Sequence, residues 1–264
     1  ISPKTSFLKD VALTILISFL FWQRKKIVSF FSPKTDMVAM IAVIVLSFGI
    51  QWYTLTYLPV WDCLPFKVGN NISEQMKMPA DAIPDSTVIT FVYDRQGKKV
   101  EFTSDNFPAD FNDSLYKFVS RYDKVIRKGK NNEPLIKGFT LSGITDVDST
   151  QIVLDQPCAI LLFCMDFSEP VSRWKNDFSK LYNEAKAKNI PVYVVTARME
   201  QAPAAFAGTS FANIPVFKCD YTAIRTAART NPCLYLLKQG TILGKWSYKR
   251  FNSAIKKLSS HANP

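Results

Sequence analysis

Pro157-Cys-Ala-Ile-Leu-Leu-Phe-Cys-Met-Asp-Phe-Ser-Glu-Pro170 and Asn231-Pro-Cys-Leu-Tyr-Leu-Leu-Lys-Gln-Gly240 are the two stretches whose reading decides the fold. The first is an uninterrupted apolar run, Cys158 to Phe163, which reads as a strand buried on both faces before a turn and a helix start. The second is a proline, a second apolar run and a Lys-x-Gly hairpin turn. Between and after them the apolar period changes repeatedly. Val171, Trp174, Phe178, Leu181, Tyr182 and Ala185 recur at three and four, the mark of a helix from about 169 to 188 with one face on a sheet.

Ile190 to Thr196 reads as another strand, followed by a short helix after Met199. Ile214 to Lys218 is a further strand, and a helix from Tyr221 to about Arg229 starts at Asp220 as N-cap. Pro232 to Lys238 and Thr241 to Trp246 form a hairpin across Gln239-Gly240, and a helix from about Arg250 to Ser259 closes the chain. Upstream, Phe139 to Leu141 and Gln151 to Leu154 look like short strands. Strands alternating with helices, then a hairpin and a helix, predict an α/β domain over 135–264, a central mixed sheet with helices on both faces.

The first 60 residues are of another kind. A mostly apolar segment at about 7–22 and a charge-free one at about 37–58 each approach the roughly 20 residues that cross a hydrocarbon core. Gln23-Arg24-Lys25-Lys26 and Lys34 lie between them, and short Lys/Arg-rich loops stay in the cytoplasm, so everything after Leu58 should lie outside it. Trp22, Trp52, Tyr53, Tyr57 and Trp61 sit at the ends of the two helices, where aromatic rings favour the headgroup zone. Residues 1–60 are therefore expected to form a transmembrane helical hairpin. Residues 61–134 read as an extracytoplasmic segment: first a tether through Pro65, Gly69-Asn-Asn71, Pro79 and Pro84, lying on the membrane or on the next domain, then a β-hairpin at Thr87–Tyr93 and Lys98–Phe102 across Asp94-Arg-Gln-Gly97. The stretch 103–135 shows no clear period.

The net charge of +11 includes the basic loop between the helices. The other basic residues are mixed with carboxylates and no nucleic-acid motif occurs, so nucleic acid is not an expected partner. The chain starts at Ile1 without an initiator Met or a signal peptide, and is expected to be a fragment or a product of cleavage.

The order of elements over about 135–260 resembles a thioredoxin-fold domain of the peroxiredoxin and TlpA-like kind, with Pro232 at the position of that family's cis-proline. The chain as a whole is similar to a family of bacterial DoxX/MauE-like membrane proteins with a C-terminal thioredoxin-like domain. The likeness is carried by Ser2-Pro-Lys-Thr-Ser-Phe-Leu-Lys-Asp10, Leu58-Pro-Val-Trp-Asp62, Lys67-Val-Gly-Asn-Asn-Ile72, and Arg229-Thr-Asn-Pro232 leading to Gly244-Lys-Trp246. It implies the C-terminal portion of a longer protein, whose upstream multi-helix module and its Cys-Gly-Cys motif would precede Ile1. It also implies the bacterial inner membrane, with the C-terminal domain on the periplasmic side.

The chemistry of the thioredoxin frame is missing. A thioredoxin presents a Cys-x-x-Cys pair at this turn, the first sulfur attacking as a thiolate and the second resolving the mixed disulfide. Here the turn reads Ser168-Glu-Pro-Val171. A serine hydroxyl cannot replace a thiolate and valine cannot resolve. The carboxylate that thioredoxins bury beneath the pair is matched by Leu162.

Five cysteines remain, an odd number. Cys158 and Cys164 fall six apart on one strand, about 20 Å, beyond the roughly 7 Å reach of a disulfide. Packing is the default role for these thiols. Cys233, beside Pro232, and Cys63, just outside the membrane, are the candidate redox thiols. His261 is the single histidine, which argues against Ser-His-Asp catalysis, and no metal-ligand spacing or phosphate loop occurs. No cofactor is expected.

The leading expectation is thus a membrane-anchored, non-catalytic domain that binds an extended segment or an envelope protein. Its groove would be framed by Phe167, Ser168, Glu169, Pro170, Asn231, Pro232 and Cys233. One alternative is an accessory to a membrane thiol system with Cys63 or Cys233 as a single-thiol relay. A structural cap on the membrane module is another.

Overall fold

The helices at the start of the chain carry apolar side chains on every side. The computed structural model describes residues 3–26 and 32–261, the last two by backbone only. Ile1 and Ser2, residues 27–31 of the expected cytoplasmic loop, and 262–264 lie outside the described residues. Helix α1 is Pro3–Gln23 and α2 is Pro33–Thr56, both long and apolar enough to cross a membrane. At 1.5 Å per residue they measure about 31 and 36 Å against a core of about 30 Å. Helix α2 begins four residues earlier than the apolar run because Ser32-Pro33 is a start signal, with Ser32 Oγ accepting from the Thr35 amide at 3.4 Å. It stops at Thr56, short of Pro59, whose ring disfavours helical backbone just before it.

Residues up to Leu55 and residues from Thr56 onward are two separate units. In the second, the segment after the helix is hydrogen-bonded to residues 240–242. Gly69 N donates to Ile242 O at 2.8 Å, Ile242 N to Asn70 O at 2.9 Å, and Ile72 N to Gly240 O at 2.9 Å. Phe66 and Ile72 are fully buried, and the short helix α3, Ile72–Gln75, is capped by Asn71 Oδ1 on the Glu74 amide.

Strands β1 (Ser86–Arg95), β2 (Lys98–Thr103) and β3 (Lys117–Arg127) form an antiparallel sheet in the order β2-β1-β3. The hairpin expected from the sequence is therefore two-thirds of a three-stranded sheet. Its turn residues Gln96 and Gly97 have φ of 53° and 83°, the left-handed pair that a tight hairpin requires. Tyr93 centres an aromatic cluster, with rings of Phe102, Phe107, Phe111, Tyr116 and Phe118 at 5.1–6.5 Å. Residues 104–116, without period in the sequence, fold over this face.

The next element corrects the reading of Gln151–Leu154 as a strand: Thr150–Leu154 is helix α4. Asp148 Oδ1 accepts from both the amide and the hydroxyl of Thr150, at 2.9 and 2.5 Å, and this turn starts the helix. Phe139 to Leu141 is likewise not a strand, although Phe139 and Leu141 are core residues.

Then follow β4 (Ala159–Cys164), a 3-10 turn at Val171–Arg173, α5 (Lys175–Ala187), β5 (Val192–Thr196), α6 (Ala202–Phe206), β6 (Val216–Lys218), α7 (Tyr221–Ala228), β7 (Cys233–Lys238), β8 (Thr241–Ser247) and α8 (Phe251–His261). The expected helix over 169–188 is thus a 3-10 turn and a helix in succession. Asp220 is the N-cap of α7, its carboxylate accepting from the Ala223 amide at 3.0 Å.

The sheet order is β6-β5-β4-β7-β8, with β4, β5 and β6 parallel and β7 and β8 antiparallel. Leu161, Phe163, Val195, Tyr235 and Leu237 face one apolar core with α7; Ile160, Leu162, Val194, Leu234 and Leu236 face the other with α5 and α8. Three parallel strands joined through helices, a terminal antiparallel hairpin and a cis Asn231–Pro232 bond entering β7 make this a thioredoxin-like fold.

Candidate functional site

Strand β4 delivers the chain to the turn at 165–170, and the cis-proline loop lies against it. Asn231 joins the two: its Oδ1 accepts from the Met165 amide at 3.1 Å, and its Nδ2 donates to Asp166 O at 3.1 Å and Asp166 Oδ1 at 2.9 Å. The same Asp166 carboxylate accepts from the Ser168 amide at 3.1 Å and its hydroxyl at 2.5 Å. Asp166 and Ser168 therefore form a local Asx turn locked onto the proline loop.

Of the expected groove, little is left open. Pro232 is buried, the Phe167 ring packs on Phe206 at 5.4 Å, and Glu169 is paired with Arg173. Ser168 and Pro170 are exposed. The Ser168 hydroxyl donates to an Asp166 carboxylate oxygen that also accepts from the Ser168 amide and from Asn231 Nδ2.

Cys233 must be removed from the groove. It is fully buried, in the same core cluster as Phe163 and Tyr235, and burial pushes its thiol up to about 12 against the smaller opposing pull of Lys245. The physical reason is that β7 is a central strand with side chains packed on both faces, so its first residue has no open side. Cys219 is held up at about 11 and Cys164 far higher, in each case chiefly by burial. Half-buried Cys158 is raised for the same reason. Cys63 is the one exposed thiol among the described residues, and no disulfide joins any of the five.

Sequence reasoning missed a pair that the fold brings together across the domain. Lys245 on β8 donates to Asp62 Oδ2 at 2.6 Å, with side chains 4% and 18% exposed. The Lys245 ammonium also lies 5.1 Å over the Tyr235 ring, whose hydroxyl donates to Ala227 O at 2.6 Å. Burial pulls the Asp62 carboxyl upward, but Lys245, the Leu64 amide and Arg229 together outweigh it and hold the group below the ordinary carboxylate range. A signal was present: Lys245 is the one charged residue of β8, set between Gly244 and Trp246. Among the described residues no three His, Cys, Asp or Glu side chains are gathered to hold a metal ion.

The domain of unknown function DUF8463 matches residues 87–128, the span of the β1-β2-β3 sheet. No curated protein matches the chain. Among solved structures, peroxiredoxin Q of Xanthomonas campestris is 15% identical over 48% of this chain and 94% of its own, with a TM-score of 0.36. A thiol:disulfide interchange protein DsbE from Chlorobium tepidum is 19% identical over the same shares, TM-score 0.37. Yeast Sco1 is 11% identical over 47% and 90%, TM-score 0.36. Strand order and connectivity, rather than these scores, define the fold.

Proposed function

We propose that the chain is a membrane-anchored, non-catalytic thioredoxin-fold protein of the bacterial envelope that acts by binding another protein outside the cytoplasm. One observation carries the reading: the turn where thioredoxin chemistry would take place holds no thiol and is closed by Asn231, Asp166 and Ser168 bonding to one another. Supporting it, the cysteines of the domain core are buried with raised thiol pKa, the opposite of a reactive thiolate. Anchoring rests on the two apolar helices, and the periplasmic side on the basic residues between them. The proposed setting is the inner membrane, beside a DoxX-like multi-helix module and other envelope proteins.

The test has two arms on the full chain in its native membrane. Disulfide exchange with a model dithiol substrate should be no faster than with the buffer thiol alone; turnover would overturn the non-catalytic reading. A photo-crosslinking residue at Ser168 should give a defined protein adduct, and its absence would remove the turn as the binding site. The alternative, a single-thiol relay, rests on Cys63, the exposed one of its two candidates, since Cys233 is buried. A mixed disulfide trapped at Cys63 would favour it.

A further inference from the structure

Strand β3 is an edge strand with no neighbour on its outer side among the described residues, and all eleven of its residues are exposed. Such an edge offers a row of free amides and carbonyls, which folded proteins usually cover or interrupt. Its apolar residues are far from scattered: Phe118 is 59% exposed and Ile126 66%, with Val119, Tyr122 and Val125 between them also open.

The order of residues is self-complementary. Laid antiparallel on a second copy about Tyr122, Arg121 faces Asp123 twice and Ser120 faces Lys124 twice, all between the extra residues Val119 and Ile126. The like-charge pair, Lys117 with Arg127, falls at the ends. Opposite charges directly across a sheet stabilise it and like charges do the reverse. Residues Ser120–Val125 run in unbroken register with β1, and the extra residues Val119 and Ile126 lie just outside, so the central stretch is straight enough to pair.

We infer that β3 is a self-association surface, pairing antiparallel with β3 of a second copy to make a continuous six-stranded sheet. The interface is isologous, each patch meeting itself across a two-fold axis, the commonest closed arrangement.

The test uses the full chain in membranes, with Cys63→Ala as background. Tyr122→Cys should be joined to a dimer by a short bis-maleimide, because the two Cβ atoms would stand about 4.5–5.5 Å apart. Lys99→Cys, on the opposite edge strand β2, should not. Arg121→Asp or Asp123→Arg alone should cut the cross-linking of the Tyr122→Cys chain, roughly three- to thirtyfold in apparent affinity. The double exchange Arg121→Asp with Asp123→Arg should restore it. Cross-linking of Tyr122→Cys no greater than that of Lys99→Cys would overturn the inference. So would a double exchange that leaves the defect of the single ones in place.

Discussion

Replacing Lys245 by methionine keeps the length and apolar stem of the side chain but removes the charge, leaving the Asp62 carboxylate without its ammonium partner in a largely buried site. Losing one member of a buried pair costs about 3–5 kcal/mol, because the remaining charge has no water to return to. For a unit of this size that lowers the melting temperature by roughly 6–20 °C. The pH dependence supplies an independent check. In the native chain Asp62 has a depressed pKa, so its contribution is complete above the unfolded value near 3.8 and is lost as pH falls through the folded value. In Lys245→Met burial acts on Asp62 without its chief opponent and the folded pKa rises above the unfolded one, reversing the sign. Its penalty is then present at neutral pH and relieved as pH falls, so the gap between the two proteins should narrow in acid.

Circular dichroism melts of the full chain in detergent at neutral and acid pH give both quantities. The double variant Asp62→Asn with Lys245→Met, which removes both charges and keeps an acceptor for the Leu64 amide, should return to within about 1 kcal/mol of the native chain. A loss below about 1 kcal/mol for Lys245→Met, or a gap that widens in acid, would refute the reasoning. The pair would then be a surface contact that happens to be shielded.

Differential alkylation at pH 8 should label Cys63 fast and leave Cys164, Cys219 and Cys233 unlabelled until the chain unfolds. At a pKa of about 12 only roughly one Cys233 in ten thousand is thiolate at that pH, and burial blocks the reagent as well. Asn231→Ala removes three bonds between the proline loop and the turn, so hydrogen exchange at the Met165 amide should accelerate, with a cost of about 1–3 kcal/mol. Asp220→Ala should cost about 1 kcal/mol through the lost cap on α7, read as a lower denaturant midpoint with an unchanged slope.

The parts of the fold legible in the sequence are those whose burial imposes a period. The central strands β4 and β7 are continuous apolar runs because both faces are covered, and α5 and α7 show three-and-four spacing because one face is. What was illegible lacks that imprint. Strand β3 has neither face nor edge fully covered, so nothing forces its residues to alternate, and the extra residues at Val119 and Ile126 shift what alternation there is. Helix α4 has five residues, too few for a helical period, and its apolar Ile152-Val-Leu154 resembles a strand unless the Asp148-x-Thr150 turn before it is given weight.

At the site, the loss of the reactive pair was plain from Ser168 and Val171, but the fate of the surrounding groove was not. Asn231 alone does not say where its amide points; only when β4 and β7 are paired does it meet Met165 and Asp166. The burial of Cys233 could have been read, since it opens the same apolar run, Cys233 to Leu237, that identifies β7 as central. A residue inside a run buried on both faces has no surface on which to be reactive. That argument also explains why Lys245 stands out. It lies on β8 opposite Tyr235, one strand further from the sheet centre, where Gly69–Ile72 cover the edge and Asp62 descends to meet the charge. A lysine ammonium buried on β8 needs a partner for its charge, and a chain segment that supplies a carboxylate from 183 residues away is thereby fixed to the domain. The ion pair and the Gly69–Ile72 backbone bonds act together, holding residues 62–72 against the edge of the sheet.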